Sequence, residues 1–321
     1  GGGGDQHGDE RRDPRHRGAG GSGAVELHSF THGDEVELAE TWVARLETEV
    51  AAQVGGGARC EALNFGVPGY GLDQAWLRWR QDGAGFAPHV VVLGFVAEDV
   101  YRLVNVMRPL YQPVVTIPFS KPRFVADGGA RPLRLVNQPT LPPGSLAAEL
   151  EDFARSPLAR DEAYFDASDY RAAWWQGSRL LAWAADLPRT DPIAREPADA
   201  PRVLSPQAEA GRLALQIVAG FRAEVEARGG RFLLVHLPRR PDLDAWRARE
   251  PLAYAELLAA LARTAELVDP CPALAARADA ELFERQGHYG PAGHAIVAEV
   301  LGPAIVRVAP LSVPEASPAG R

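Results

Sequence analysis

Short apolar runs alternate along this chain with longer segments in which apolar residues recur every third or fourth position. Runs at residues 24–27, 62–65, 90–95, 232–236 and 267–268 have strand length, and each precedes a turn and then a helical stretch or a long insertion. Trp42, Leu46 and Val50 share one helical face, as do Leu213, Ile217 and Phe221 in their own segment; Leu77 belongs to a further such stretch. Ser205-Pro206 supplies an N-cap and a first-turn proline, and Gly229-Gly230 a stop, so a helix is predicted between them. Strands alternating with helices predict a doubly wound parallel sheet between helical layers, with a site at the carboxyl ends of the strands.

The rhythm breaks after the third strand. Residues 121–129 followed by 133–136 have the pattern of a hairpin, and residues 168–187, with Trp174, Trp175 and Trp183, that of a tryptophan-rich helix. The expected organisation is a disordered segment at 1–23, one α/β domain at 24–310 with a cap insertion at 105–201, and a loose tail at 311–321. The tryptophans are read as core and cap packing ahead of a sugar platform.

Composition narrows the function. With 46% hydrophobic and 24% charged residues, a chain of 321 residues can bury a large core. Its net charge of −8, without a basic run, argues against nucleic acid or an anionic membrane as partner. No stretch reaches the roughly 18–20 apolar residues of a membrane span. Cys60 and Cys271 lie outside any metal or redox spacing and read as unpaired thiols rather than a bridge. Because the chain begins at Gly1 and its one methionine is Met107, the natural N-terminus is expected to lie beyond this sequence, and the compartment is left open.

Four segments carry candidate chemistry: Ser29-Phe-Thr-His-Gly33, Asn64-Phe-Gly-Val-Pro-Gly-Tyr-Gly71, Leu93-Gly-Phe-Val-Ala-Glu-Asp99 and Gly287-His-Tyr-Gly-Pro-Ala-Gly-His294. They read as a serine nucleophile, an oxyanion-binding loop and a histidine base gathered on one rim. Taken singly, Ser29 is a helix N-cap, the glycines are a tight turn, and His288 and His294 are surface residues around Pro291. His28, His32 and Asp34 lie on a turn and lack the further cluster a metal shell needs. His236, at the end of the fourth predicted strand, has no assigned role, and Asp99, Tyr101 and Arg102 read equally as structural.

These segments resemble the SGNH (GDSL-like) hydrolases, over residues 29–102 and 283–298. The resemblance implies a flavodoxin-like sheet, no cofactor, Ser29 as nucleophile, His288 as base, Gly66 as oxyanion glycine, and Glu98 at the family's asparagine position. It implies a serine-dependent esterase, deacylase or acyltransferase acting on a small-molecule or glycan acyl ester.

Three departures stand out. Leu27-His28 precede the serine in place of Gly-Asp, which a reading-frame error just upstream would explain; Glu98 replaces the asparagine; and Arg285 or Gln286 occupies the place of the aspartate before the base. Glu284 is the expected substitute for that acid, and a protonated Glu98 the expected oxyanion donor. The competing expectation is a non-catalytic descendant that binds an acylated or glycan ligand.

Overall fold

The protein is described by a computed structural model at residues 22–26, 29–33, 35–54, 60–112, 119–126, 133–167, 178, 200–285 and 287–309. Outside these lie most of the expected disordered segment, the tail, the tryptophan-rich stretch apart from Ser178, and Leu27, His28, Asp34 and Gln286.

Five parallel strands form the central sheet: β1 (Ser22–Glu26), β2 (Cys60–Asn64), β3 (Val90–Phe95), β6 (Arg231–His236) and β7 (Glu266–Val268). Their order is β2-β1-β3-β6-β7. With the separate hairpin of β4 (Arg123–Val125) and β5 (Arg134–Val136) set aside, this is the flavodoxin-like arrangement. β1 starts two residues before the expected boundary. The hairpin follows the third strand, as its sequence pattern predicts.

Alternation along the buried strands sorts residues between the two layers. In β3, Val91, Leu93 and Phe95 face one cluster while Val90 and Val92 face the other. Because crossover helices cover both faces, the whole strand is buried and reads as a continuous apolar run. One layer holds helices α2 (Trp42–Val54) and α7 (Pro291–Val308), whose Leu46, Val50, Val297, Leu301 and Ile305 interlock over the sheet. By length and a mean hydropathy of 1.2, α7 would suffice to cross a membrane, but here its apolar face is core.

The other layer holds α3 (Leu72–Arg78), α5 (Glu209–Ala227) and α6 (Ala255–Thr264). Trp76 and Trp79 pack on Phe221 there. Gly220 permits the approach, because a Cβ at that position would sit 2.4 Å from the Trp76 ring. Helix α5 stops before Gly229-Gly230 as expected but begins at Glu209, past the predicted cap. Ser205 Oγ accepts the Gln207 N–H at 3.3 Å and so caps the turn that precedes the helix, while the Ser205 carbonyl lies where a Cβ on Gly211 would be, so the chain enters the helix only after that turn.

The insertion is tied to α3 by a buried ion pair, Lys121 Nζ to Asp73 Oδ2 at 2.5 Å, with both side chains at most 1% exposed. Burial lowers the Lys121 pKa, and Asp73 opposes that by favouring the ammonium.

Candidate active site

The order of the sheet reverses direction between β1 and β3, and the candidate segments leave the carboxyl ends of β1, β2 and β3 around that point. After β1 comes a single helical turn, α1 (Ser29–His32). The backbone of Ser29 opens this turn; described side chains begin at Phe30.

Phe30 joins the turn that starts at Ser29 to the loop of His288. Its ring meets His288 edge-on with centroids 5.0 Å apart and Tyr289 at 5.1 Å. It is 7% exposed, so the two aromatic contacts fix the turn against the loop that carries His288. That loop is closed by a bridge between Phe283 and Tyr289, and the Tyr289 hydroxyl donates to the carbonyl of Pro238 at 2.7 Å.

His288 Nδ1 lies 2.7 Å from Oε1 of Glu35. A carboxylate only accepts, so Nδ1 carries the proton and Nε2 is left with its lone pair. This is the tautomer a general base needs. Glu35 is thus the acid on this imidazole. Glu284, the residue expected there, forms the loop's turn through its backbone, and its carboxylate lies over Gly290, where a Cβ would come within 2.9 Å of Oε1. Glu35 follows Ser29 by six positions in the Asp34-Glu35 acidic pair. With Arg285 and Gln286 unable to serve, the acidic pair a few residues after the serine was the available clue.

The oxyanion loop is lashed to the nucleophile turn. Asn64 Nδ2 donates to the Thr31 carbonyl at 2.7 Å, and His32 Nδ1 donates to the Gly66 carbonyl at 2.8 Å. His32 serves here as a brace for the loop. The Gly66 N–H, the expected oxyanion donor, is given to Asn64 Oδ1 at 2.8 Å. Gly69, at φ +78°, makes the turn in this loop.

Glu98 opens α4 (Glu98–Arg102), where its Oε1 accepts from Arg102 Nη2 at 2.7 Å. That contact makes it an acceptor paired with a cation, the opposite of the protonated donor expected. Arg102 also donates to Asp99 at 2.9 Å and to the Tyr70 carbonyl. Burial disfavours its charge, yet the Glu98 and Asp99 carboxylates outweigh burial and hold its pKa above the ordinary arginine value. Asp99, fully buried, also accepts the Val96 N–H, and the Tyr101 carbonyl accepts the Tyr164 hydroxyl, which are structural roles for both.

Two further histidines are core fixtures. His236 is fully buried, with Nδ1 2.9 Å from Asp269 and Nε2 2.9 Å from the Tyr254 hydroxyl. Burial raises the Asp269 pKa, but the imidazole and the Cys271 N–H more than offset this and leave it lowered. His294 accepts the Trp42 N–H on Nδ1 at 3.2 Å, and burial, with Arg45 and His288 nearby, pushes its pKa down to about 4. Both cysteines are thiols; burial pushes Cys271 up to about 12 and Cys60 up to about 11, which removes thiolate chemistry near neutral pH.

No protein-family model matches the chain, and no curated protein matches it. Similar solved structures include the lipase Lip_vut3 from a goat rumen metagenome, at 9% identity and a TM-score of 0.48 over 91% of this chain and 99% of that one. A putative lipolytic protein of the G-D-S-L family from Desulfitobacterium hafniense DCB-2 is 11% identical, with a TM-score of 0.42 over 89% and 99%. An acetyl xylan esterase is also 11% identical, with a TM-score of 0.44 over 88% and 99%. In its α/β fold around a parallel sheet the chain is similar to G-D-S-L-type lipolytic proteins and esterases, at low sequence identity.

Proposed function

We propose that this chain is a serine-dependent ester hydrolase, deacylase or acyltransferase that works through an acyl-enzyme on Ser29. The observation that carries the reading is His288, oriented by Glu35 on one side and packed on the other against the residue next to Ser29. In this mechanism Ser29 Oγ attacks the ester carbonyl carbon while its proton passes to His288 Nε2. The imidazolium, stabilised by Glu35, returns that proton to the departing alcohol oxygen and leaves an ester on Ser29. Water then attacks the acyl carbon through the same base and releases the acid. An acceptor alcohol in place of water would make the reaction a transfer.

The oxyanion takes N–H groups from Gly66 and Ser29, so Asn64 Oδ1 has to release the Gly66 N–H as charge develops. Glu98, engaged by Arg102, adds no donor, and a missing donor costs about 3–4 kcal/mol of transition-state stabilisation. The site is therefore a slow one. The substrate is a small-molecule or glycan acyl ester, and residues 105–201 are read as the cap that selects it, consistent with the Lys121–Asp73 tie to the helix after the oxyanion loop.

A second reading draws on the same two facts. With its oxyanion N–H engaged and Glu98 an acceptor, the pocket would suit a non-catalytic protein that binds an acylated or glycan ligand. A fluorophosphonate probe separates the two. Labelling that disappears in Ser29→Ala supports the enzyme, whereas folded wild-type protein that takes no label rules it out.

A further inference from the structure

Arg108 begins the short helix Arg108–Tyr111 and is 6% exposed. Its guanidinium meets neutral groups: Gln112 Oε1 at 2.6 Å from Nη2, the Gly69 carbonyl at 3.5 Å from Nη1, and the Tyr111 ring at 5.3 Å. Among the described residues, no carboxylate lies within ion-pair distance of it. The two acids whose charge reaches it, Glu98 and Asp99, are both bonded by Arg102. A cation withdrawn from water without an anion on it is costly. Burial and the charge of Arg102 lower the pKa of Arg108 against the opposing pull of Tyr111, Glu98 and Asp99, and an anion arriving there would favour the charged form further.

The place of this guanidinium gives it a use. It lies beneath Gly69, where a Cβ would stand 3.6 Å from Nη2, so that glycine leaves the N–H fork screened by backbone rather than by a side chain. Gly69 belongs to the same loop as Gly66, and that loop is braced to the nucleophile turn through Thr31 and His32. A planar fork of donors suits a carboxylate, which it can engage with two parallel bonds. Glu98 and Asp99 would repel such a group, and Arg102 offsets one of their two charges.

Resting on the serine-hydrolase reading, we propose that Arg108 is an anion-recognition residue and that the preferred substrate carries a carboxylate on the acyl side of its ester. The test compares 4-nitrophenyl hydrogen adipate, which has the carboxylate, with 4-nitrophenyl hexanoate, which has a chain of equal length and no charge. In Arg108→Gln the ratio of kcat/KM for the two esters should fall about 10- to 100-fold, the range expected for a charged hydrogen-bond pair. Arg108→Lys, which keeps the charge and loses the fork, should fall between and serves if the glutamine variant does not fold. Calorimetric titration with adipate should show binding to wild type that Arg108→Gln loses. An unchanged ratio, or adipate binding equally to both proteins, overturns the proposal, as does a loss shared in proportion by both esters. If wild type cleaves neither ester the hydrolase reading fails, while the titration still decides the anion site.

Discussion

His294 offers a direct measure of how the candidate site is joined to the core. Its Nδ1 accepts the N–H of Trp42, the first residue of α2, and protonation of that nitrogen ends the bond. The folded-state pKa is about 4 against an unfolded value of 6.5, so the unfolded chain takes up the proton first as pH falls. The contribution to stability is therefore fully present above pH 6.5 and is lost as pH drops towards 4. A difference of about 2.5 pH units corresponds to roughly 3 kcal/mol at most, of which about 2 kcal/mol is gone by pH 5. His294→Asn keeps an acceptor near the same point and removes the titration. Urea unfolding of both proteins between pH 8 and pH 4 isolates this group, because every other titration is common to the two. Wild type should lose about 2 kcal/mol more than the variant by pH 5 and about 3 kcal/mol more by pH 4. A gap between the two curves that stays flat across that range would refute the assignment.

Glu35→Gln should lower ester turnover by about a hundredfold to ten-thousandfold while leaving the fold intact, the upper figure being that for the triad aspartate of serine proteases in the same role. Glu284→Gln should cost little, and the reverse ranking in a steady-state assay would restore Glu284 as the acid. Asp73→Asn leaves the Lys121 ammonium buried and should destabilise by about 3–5 kcal/mol at neutral pH, less at alkaline pH where the lysine discharges. Replacing both partners, Asp73→Leu with Lys121→Met, should recover most of that loss in denaturant unfolding; no recovery would mean that the pair holds the insertion by more than its charges.

Much of the sheet was legible because burial on both faces writes itself as uninterrupted apolar runs, and residues 90–95 are strand β3 to the residue. The faces of α2 and α5 were legible from the spacing of Trp42, Leu46 and Val50 and of Leu213, Ile217 and Phe221, since those side chains fill the two core layers. The start of α5 was not, because Ser205 caps the short turn ahead of the helix, where its oxygen takes the Gln207 N–H, and not the helix itself. In the proposed site, Ser29, Gly66 and His288 were picked out by motif, whereas the Glu35 carboxylate on His288 was not, because such an acid can come from any loop on the rim. Glu98 was read as a protonated donor although Arg102 stands four positions on, one helical turn away, where a pair of opposite charges meets. Arg108 carried no local signal, since its significance lies in which groups it does not touch.

Three of the ties between the rim loops end on main-chain oxygens: those of Thr31, Gly66 and Tyr70 receive Asn64, His32 and Arg102. Every amino acid offers the same carbonyl, so the receiving half of each tie survives any replacement that leaves the backbone path intact. Substitution can therefore change the side chains at those receiving positions while the loops keep their mutual placement.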